Sequence, residues 1–300
     1  MKNLAPIVLF TYKRLNTLKQ TIESLQQNYL ATESDLYIFS DAAKGIQDQE
    51  PVQNVRNYIK TIKGFKSVTI TESPVNKGLA TSIIEGVSQI LKTHETVIVL
   101  EDDLVSTNNF LDFMNQSLNK YVHETTIFSI SGFSFNLNIE KKYFYDVYFL
   151  NRGWSWGWAT WRDRWEKVDW KIKDYSEFIK NKKAQKLFAA GGSDLNSMLK
   201  KQMTGNLDSW AIRWFYNQFK LGGLTLYPVK SKILNEGFGA DATHTTGSSR
   251  RYIPNLDDEA RKGIRFPAEV LLSDIPQRQF KIKMGFFSRF KSKIETYFGL

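Results

Sequence analysis

This sequence predicts an α/β fold in which helices flank a mostly parallel central sheet. Two observations predict it. Apolar runs rich in Val, Ile and Leu alternate with segments of helical periodicity through the first third of the chain. Each run also ends on polar or charged residues, where a parallel sheet meets its ligands.

Pro6-Ile7-Val8-Leu9-Phe10-Thr11-Tyr12 reads as the first strand, and Leu15, Leu18, Ile22 and Leu25 follow at helical spacing with Asn16 as the cap. Leu36-Tyr37-Ile38-Phe39-Ser40 reads as the second strand, closed by Asp41, with a helix around Val52 to Ile62 behind it. Ser67-Val68-Thr69-Ile70-Thr71 is the third. Pro74-Val75-Asn76-Lys77-Gly78 then breaks the chain before a helix carrying Leu79, Ile83, Ile84, Val87, Ile90 and Leu91. Val97-Ile98-Val99-Leu100 is the fourth strand, and the βαβαβαβ order implies a Rossmann-like sheet. Beyond it, Phe110, Phe113, Met114, Leu118 and Tyr121 mark a helix and Ile127-Phe128-Ser129-Ile130-Ser131 a strand, before irregular, aromatic-rich sequence.

At 300 residues the chain is long enough for a substantial core. It has no run of about 18 apolar residues, so no membrane-spanning helix is expected. Met1-Lys2-Asn3-Leu4-Ala5-Pro6 leads straight into the first strand without a signal-peptide core, and the absence of cysteine excludes disulfides and thiolate chemistry. A cytoplasmic protein is the expectation. The net charge of +10 implies an anionic partner: nucleic acid, a phosphorylated ligand or a membrane surface. Eight tryptophans, with much of the aromatic content between positions 143 and 219, point to a ligand that stacks on rings.

The fourth strand runs directly into Glu101-Asp102-Asp103. Adjacent carboxylates repel one another and lose hydration on burial, so they need a counter-charge. Mg²⁺ or Mn²⁺ holding a diphosphate is the simplest one. The plainer alternative is an acidic turn before the next helix, where Asn108 and Asn109 stand. Thr11, Lys13, Arg14, Asp41, Asn76 and Lys77 cluster at the other strand ends. Neither GxGxxG nor GxxxxGK[ST] is present, which disfavours dinucleotide dehydrogenases and P-loop enzymes and leaves metal-bound nucleoside diphosphates.

With those pieces in this order, the chain resembles the GT-A glycosyltransferases, in particular bacterial polysaccharide enzymes related to N-acetylglucosaminyltransferase I. The likeness rests on Pro6 to Arg14, Phe39-Ser40-Asp41, Asn76-Lys77-Gly78-Leu79, and Leu100 to Leu104 followed by Phe110. It continues through Gly153-Trp154-Ser155-Trp156-Gly157-Trp158, Asp208-Ser209-Trp210-Ala211-Ile212-Arg213-Trp214, and Asn235-Glu236-Gly237-Phe238-Gly239 with Asp241 and His244. The resemblance implies a nucleotide-sugar donor, usually a UDP-sugar, with Mn²⁺ or Mg²⁺ as cofactor. It implies Asp103 as the direct metal ligand and Asp102 beside the ribose or metal waters. Asp41 matches the residue touching uracil or ribose, Thr11 and Arg14 the loop that holds the base, and His244 a late residue returning to the metal or phosphates. Residues 1–104 would then be the nucleotide-sugar-binding half and 105–276 the acceptor-binding and catalytic half of one domain, with 277–300 a tail.

The resemblance implies inverting transfer, in which one carboxylate takes the acceptor's proton, and Asp208 matches that base position; it also reads as a helix N-cap, and the two roles are compatible. Arg152-Gly153-Trp154-Ser155-Trp156-Gly157-Trp158, read as a strand, places its three indoles on one face, as a sugar-stacking wall with Trp156 in the donor site or as a core strand. Arg250 and Arg251 read as a diphosphate clamp or as solvated surface. In the tail, Ile282, Phe286, Phe287, Phe290, Ile294, Tyr297 and Phe298 share a helical face among lysines and arginines. It reads as an anchor on an anionic membrane, or as a helix packed on the domain. The expected activity is sugar transfer to a growing surface glycan or lipid-linked acceptor at the inner face of the plasma membrane, with nucleic acid not expected as a partner. The alternatives are a sugar-nucleotide nucleotidyltransferase and a non-catalytic glycan-binding module.

Overall fold

The structure, a computed structural model, describes residues 4–139, 143–238 and 249–297. The four expected parallel strands are β1 (Ile7–Thr11), β2 (Asp35–Ser40), β3 (Ser67–Glu72) and β4 (Thr96–Glu101), connected by α1 (Leu15–Gln26), α2 (Ile46–Ile59) and α3 (Leu79–Leu91). Next come β5 (Leu104–Ser106), α4 (Phe110–Lys120), β6 (Ile127–Ser131), β7 (Val147–Leu150), β8 (Trp158–Trp161), β9 (Leu224–Pro228) and β10 (Ile233–Asn235). Eight strands form one sheet in the order β3-β2-β1-β4-β8-β6-β9-β7, while β10 and β5 pair separately. Within the large sheet β8 and β7 run against the others, so it is mostly parallel.

Side-chain alternation sorts the core into two layers. Ile7 and Leu9 of β1 face a cluster that includes Leu18 and Ile22 of α1 and Val55 of α2. Val8 and Phe10 face Ile83 and Val87 of α3. Strand β1 is buried along its whole length, as the unbroken apolar run requires.

Three local expectations change. Asn16 does not cap α1; Arg14 holds the cap position, without a side-chain cap bond. The helix placed around Val52 begins earlier, at Ile46, and ends at Ile59, with Pro51 inside it. Residues 152–157 are not a strand. Gly157 turns the chain at φ +57°, where a Cβ would lie 2.8 Å from Ile233 Cγ1, and Trp158 then opens β8. The three indoles therefore share no face. Trp154 packs with Phe133 and Phe135, whereas Trp158 stacks with Trp165 and Trp210 in the other layer.

The tail is two helices, Asp274–Lys283 and Phe286–Tyr297, rather than one. Phe280 is fully buried against Phe135, Trp154 and Tyr227, so the first helix docks on the domain. Beneath it, Arg152 and Asp194 form a buried two-pronged ion pair at 2.8 and 2.9 Å. Ser193 Oγ donates to the Met284 carbonyl and fixes the break between the helices. Phe287, by contrast, is 85% exposed. Phe280→Ala should cost about 3 kcal/mol in denaturant unfolding, against less than about 0.5 kcal/mol for Phe287→Ala. Equal losses would show that the first tail helix is not docked.

Candidate functional site

Strand order reverses at β1: β2 and β3 lie on one side of it and β4 on the other. In open parallel sheets that reversal leaves a crevice at the carboxyl ends, where ligands bind. Thr11, Tyr12 and Arg14 leave β1 at this crevice, and Glu101, Asp102 and Asp103 leave β4 beside them.

The acidic cluster is closed by one arginine. Arg14 Nη2 lies 2.5 Å from Asp102 Oδ1 and 2.9 Å from Asp103 Oδ2. The other Asp102 oxygen accepts from Thr11 Oγ1 at 3.0 Å and from the Tyr12 backbone N–H at 3.2 Å. Asp102 is only 3% exposed, so these bonds satisfy a charge that water does not reach. Burial lowers the Arg14 guanidinium's proton affinity, yet the Asp102 and Asp103 charges override it and hold it firmly cationic. Glu101 is pushed up to about 8, first by desolvation and then by the charges of Asp103 and Asp102. Asp103 is raised too, mainly by desolvation, with Arg14 opposing it. The strand ends at Glu101, so period-two alternation stops there and Asp102 and Asp103 converge on Arg14 instead of diverging.

The segment after β10 presses on the same acids. Glu236 N–H donates to the Asp103 carbonyl, and Gly237 N–H donates to Asn235 Oδ1 at 2.7 Å. A Cβ on Gly237 would lie 2.2 Å from Asp103 Oδ2, so a larger residue here would have to push the Asp103 carboxylate aside. Phe238, Trp156 and Tyr252 continue from this point as an aromatic wall, with ring centroids 5.2 to 5.8 Å apart. Trp156 thus stands near the acids, as the sequence suggests, although on a loop.

Asp41 faces the protein. Its carboxylate accepts from the backbone N–H groups of Ala42, Lys77 and Gly78, and so ties the end of β2 to the start of α3. Asn76 Nδ2 donates to the Ala42 carbonyl, and Lys77 Nζ donates to Glu85 at 2.7 Å. These three residues, expected to contact the nucleotide, make contacts within the protein, Asp41 because the N–H groups before α3 need an acceptor. A cavity of about 130 Å³ opens at the ends of β2 and β3, lined by Asp41 and Lys77 together with Ser40 and Ser73. Lys13 turns away to Asp48 at 2.8 Å, and the Tyr12 hydroxyl donates to the same acid.

Asp208 is exposed, its side chain at 64%, and pairs with Arg213 at 3.1 Å. Ser209, one residue later, caps the helix Trp210–Lys220 by accepting from Ile212 N–H, so the cap lies off Asp208 by one position. Trp210 stacks on Trp158 at 4.8 Å, and Trp158 pairs with Val99, near the carboxyl end of β4. The helix start therefore faces the same edge of the sheet as the acids. Arg251 Nη2 donates to the Tyr252 hydroxyl and contacts Met284 Sδ, which fixes it against the tail. Arg250 is exposed. His244 and Asp241 lie outside the described residues. The sequence assigns no role to Tyr12, Asn235, Gly237 or Tyr252; the first three fall within the motifs that carry the resemblance, while nothing local marks Tyr252.

The donors here are carboxylate oxygens, the type that Mn²⁺ and Mg²⁺ take, and the guanidinium between them marks where positive charge is required. The residues fit a divalent ion on Asp103, with Asp102 beside it. Among the described residues no three His, Cys, Asp or Glu side chains form a ready ligand set. Such an ion would complete its shell with phosphate oxygens and water.

No family model matches the sequence, and no curated protein matches it significantly. Among solved structures, the mannosyltransferase PcManGT from Pyrobaculum calidifontis, in complex with GDP-Man and Mn²⁺, is similar over 54% of this chain and 46% of its own, at 10% identity and TM-score 0.38. TarS 1–349 of S. aureus is similar over 77% of this chain and 60% of its own, at 10% identity and TM-score 0.41. The galactosyltransferase LgtC, in complex with donor and acceptor sugar analogues, is similar over 74% and 72%, at 12% identity and TM-score 0.40. This chain spans less than two thirds of the first two, 46% and 60% of their lengths.

The Asp41 contacts yield a test. Asp41→Ala leaves three backbone N–H groups without their acceptor and should lower stability by about 2 kcal/mol in thermal or denaturant unfolding, with faster amide exchange at Lys77 and Gly78. An unchanged stability would mean that Asp41 does not hold this turn.

Proposed function

We propose that this chain is a metal-dependent, inverting glycosyltransferase of the GT-A class, related to N-acetylglucosaminyltransferase I. It moves a sugar from a nucleotide-sugar, a UDP-sugar on this reading, to a bacterial surface glycan or lipid-linked acceptor. The observation that carries the proposal is the acidic pair Asp102 and Asp103, braced by Arg14 at the switch point between β1 and β4. That crevice calls for a ligand with negative charge to match Arg14 and a cation to match the acids.

In this reading the residues 1–104 hold the nucleotide. Thr11 and Arg14 position it from the first loop, Asp102 faces the ribose, and the base lies toward Asp41, Asn76 and Lys77 beside the cavity at the ends of β2 and β3. When bound to Asp103, with His244 as a further ligand, Mn²⁺ or Mg²⁺ supplies Lewis-acid stabilisation of the diphosphate leaving group. The wall of Trp156, Phe238 and Tyr252 stacks a sugar ring and keeps water from it. Asp208, steered by Arg213, takes the proton from the acceptor hydroxyl as that oxygen attacks. Residues 105–276 supply these acceptor-side groups.

Thermal-shift and calorimetric titration with UDP, GDP, dTDP and CMP, with and without Mn²⁺, test this. One nucleotide should stabilise the protein only with metal. Asp103→Ala should abolish that binding, while Asp208→Ala should keep it and lower transfer by about a hundredfold or more. Stabilisation by no nucleotide would overturn the reading; equal loss of binding in both variants would overturn the division of roles.

The tail extends the proposal to an anionic membrane surface at the inner face of the plasma membrane. Phe286, Phe287 and Phe290 are exposed next to Arg289 and Lys291, and residues 277–300 hold six cations against one acid, Glu295. Among the described residues no helix is long and apolar enough to cross a membrane, so an interfacial helix is the form such contact takes. In co-sedimentation the full chain should bind phosphatidylglycerol-rich vesicles and not phosphatidylcholine ones. Replacing Phe286, Phe287 and Phe290 together by Ser should release it; unchanged sedimentation would overturn the anchor.

A further inference from the structure

A single nitrogen, Arg14 Nη2, makes both contacts to the acidic pair, at 2.5 Å and 2.9 Å. Asp103 is the residue on which the proposed metal rests. An ion that reaches it must displace this nitrogen or sit beside a guanidinium that repels it. Two carboxylates against one guanidinium leave one net negative charge, too little to hold a divalent ion and Arg14 together. A diphosphate changes the balance, since it brings negative charge for both cations. A guanidinium is also suited to leave a carboxylate for a phosphate, because its fork fits either. Motion is open to the side chain alone: the Arg14 backbone is held at the start of α1, while its side chain is 22% exposed and reaches solvent. Lys13 offers no substitute, being paired with Asp48.

We propose that Arg14 is an exchangeable counter-ion. It occupies Asp102 and Asp103 in the free protein, keeps divalent ions off them, and transfers to the diphosphate when the nucleotide arrives. Metal and nucleotide then bind as one unit, not in independent steps. This inference rests on the reading of the crevice as a metal and nucleotide-sugar site.

The test measures Mn²⁺ binding by electron paramagnetic resonance of the free ion, on the full chain, with and without UDP. Wild type should bind Mn²⁺ alone weakly and at least about tenfold more tightly with UDP. Arg14→Met should bind Mn²⁺ alone about tenfold more tightly than wild type, while its UDP affinity falls. If Arg14→Met binds Mn²⁺ alone no more tightly, yet wild type still needs Mn²⁺ to bind UDP, the counter-ion role is overturned and the nucleotide site stands. If wild type binds UDP under neither condition, both readings fall for UDP. Should Arg14→Met not fold, Arg14→Lys decides. The lysine ammonium ends one bond short of where Nη2 sits, so its hold on the two acids is weaker: Mn²⁺ alone should bind several-fold more tightly, and unchanged binding overturns the proposal.

Discussion

Strand β8 is the piece on which the architecture hangs. It pairs antiparallel with β4 on one edge and with β6 on the other, and so joins the parallel first half to everything built on β6, β9 and β7. Its first residue, Trp158, lies opposite Val99, two positions before the acidic strand end. The same indole stacks on Trp210 at the start of the helix that follows Asp208. One short strand therefore fixes how far the candidate base stands from the candidate metal site.

Electrostatics imposes the second constraint. Three consecutive carboxylates at a strand end cannot all stay charged without compensation. The protein answers in two ways: Glu101 is driven toward its neutral form, and Arg14 offsets one of the two charges beside it. Gly237 lets the segment after β10 close over Asp103, so that the cluster is shielded by backbone on one side and meets the crevice on the other.

The first four strands and the helices α1 and α3 were legible because their apolar periods differ cleanly, two for β2 and nearly four for α1 and α3, whereas the bounds of α2 were not. The acids at the end of β4 were legible as a group in need of a counter-charge, whereas Arg14 as the residue that supplies it was not. The tryptophan run was misread because alternation of large and small residues mimics a strand, whereas the positive φ of Gly157 is invisible in a pattern. Asp41 shows a related limit: its position at a strand end was evident, but its partners are backbone N–H groups brought up by a distant turn. The tail read as one amphipathic helix because hydrophobic spacing continues across Met284 and Gly285, although Phe280 is buried and Phe287 is exposed.

The tryptophans also govern how this protein looks in the ultraviolet. Trp158, Trp165, Trp170, Trp210 and Trp214 are linked by ring contacts of 4.6 to 6.3 Å, close enough to share excitation. Trp156 lies apart from them, against Phe238 and Tyr252 near the acids. Five of the eight indoles thus form one contact group that reports on the β8 and Trp210–Lys220 packing, whereas a ligand in the crevice meets Trp156. An optical reading of the crevice calls for Trp156 to be observed by itself, against a background in which the buried indoles have been made silent.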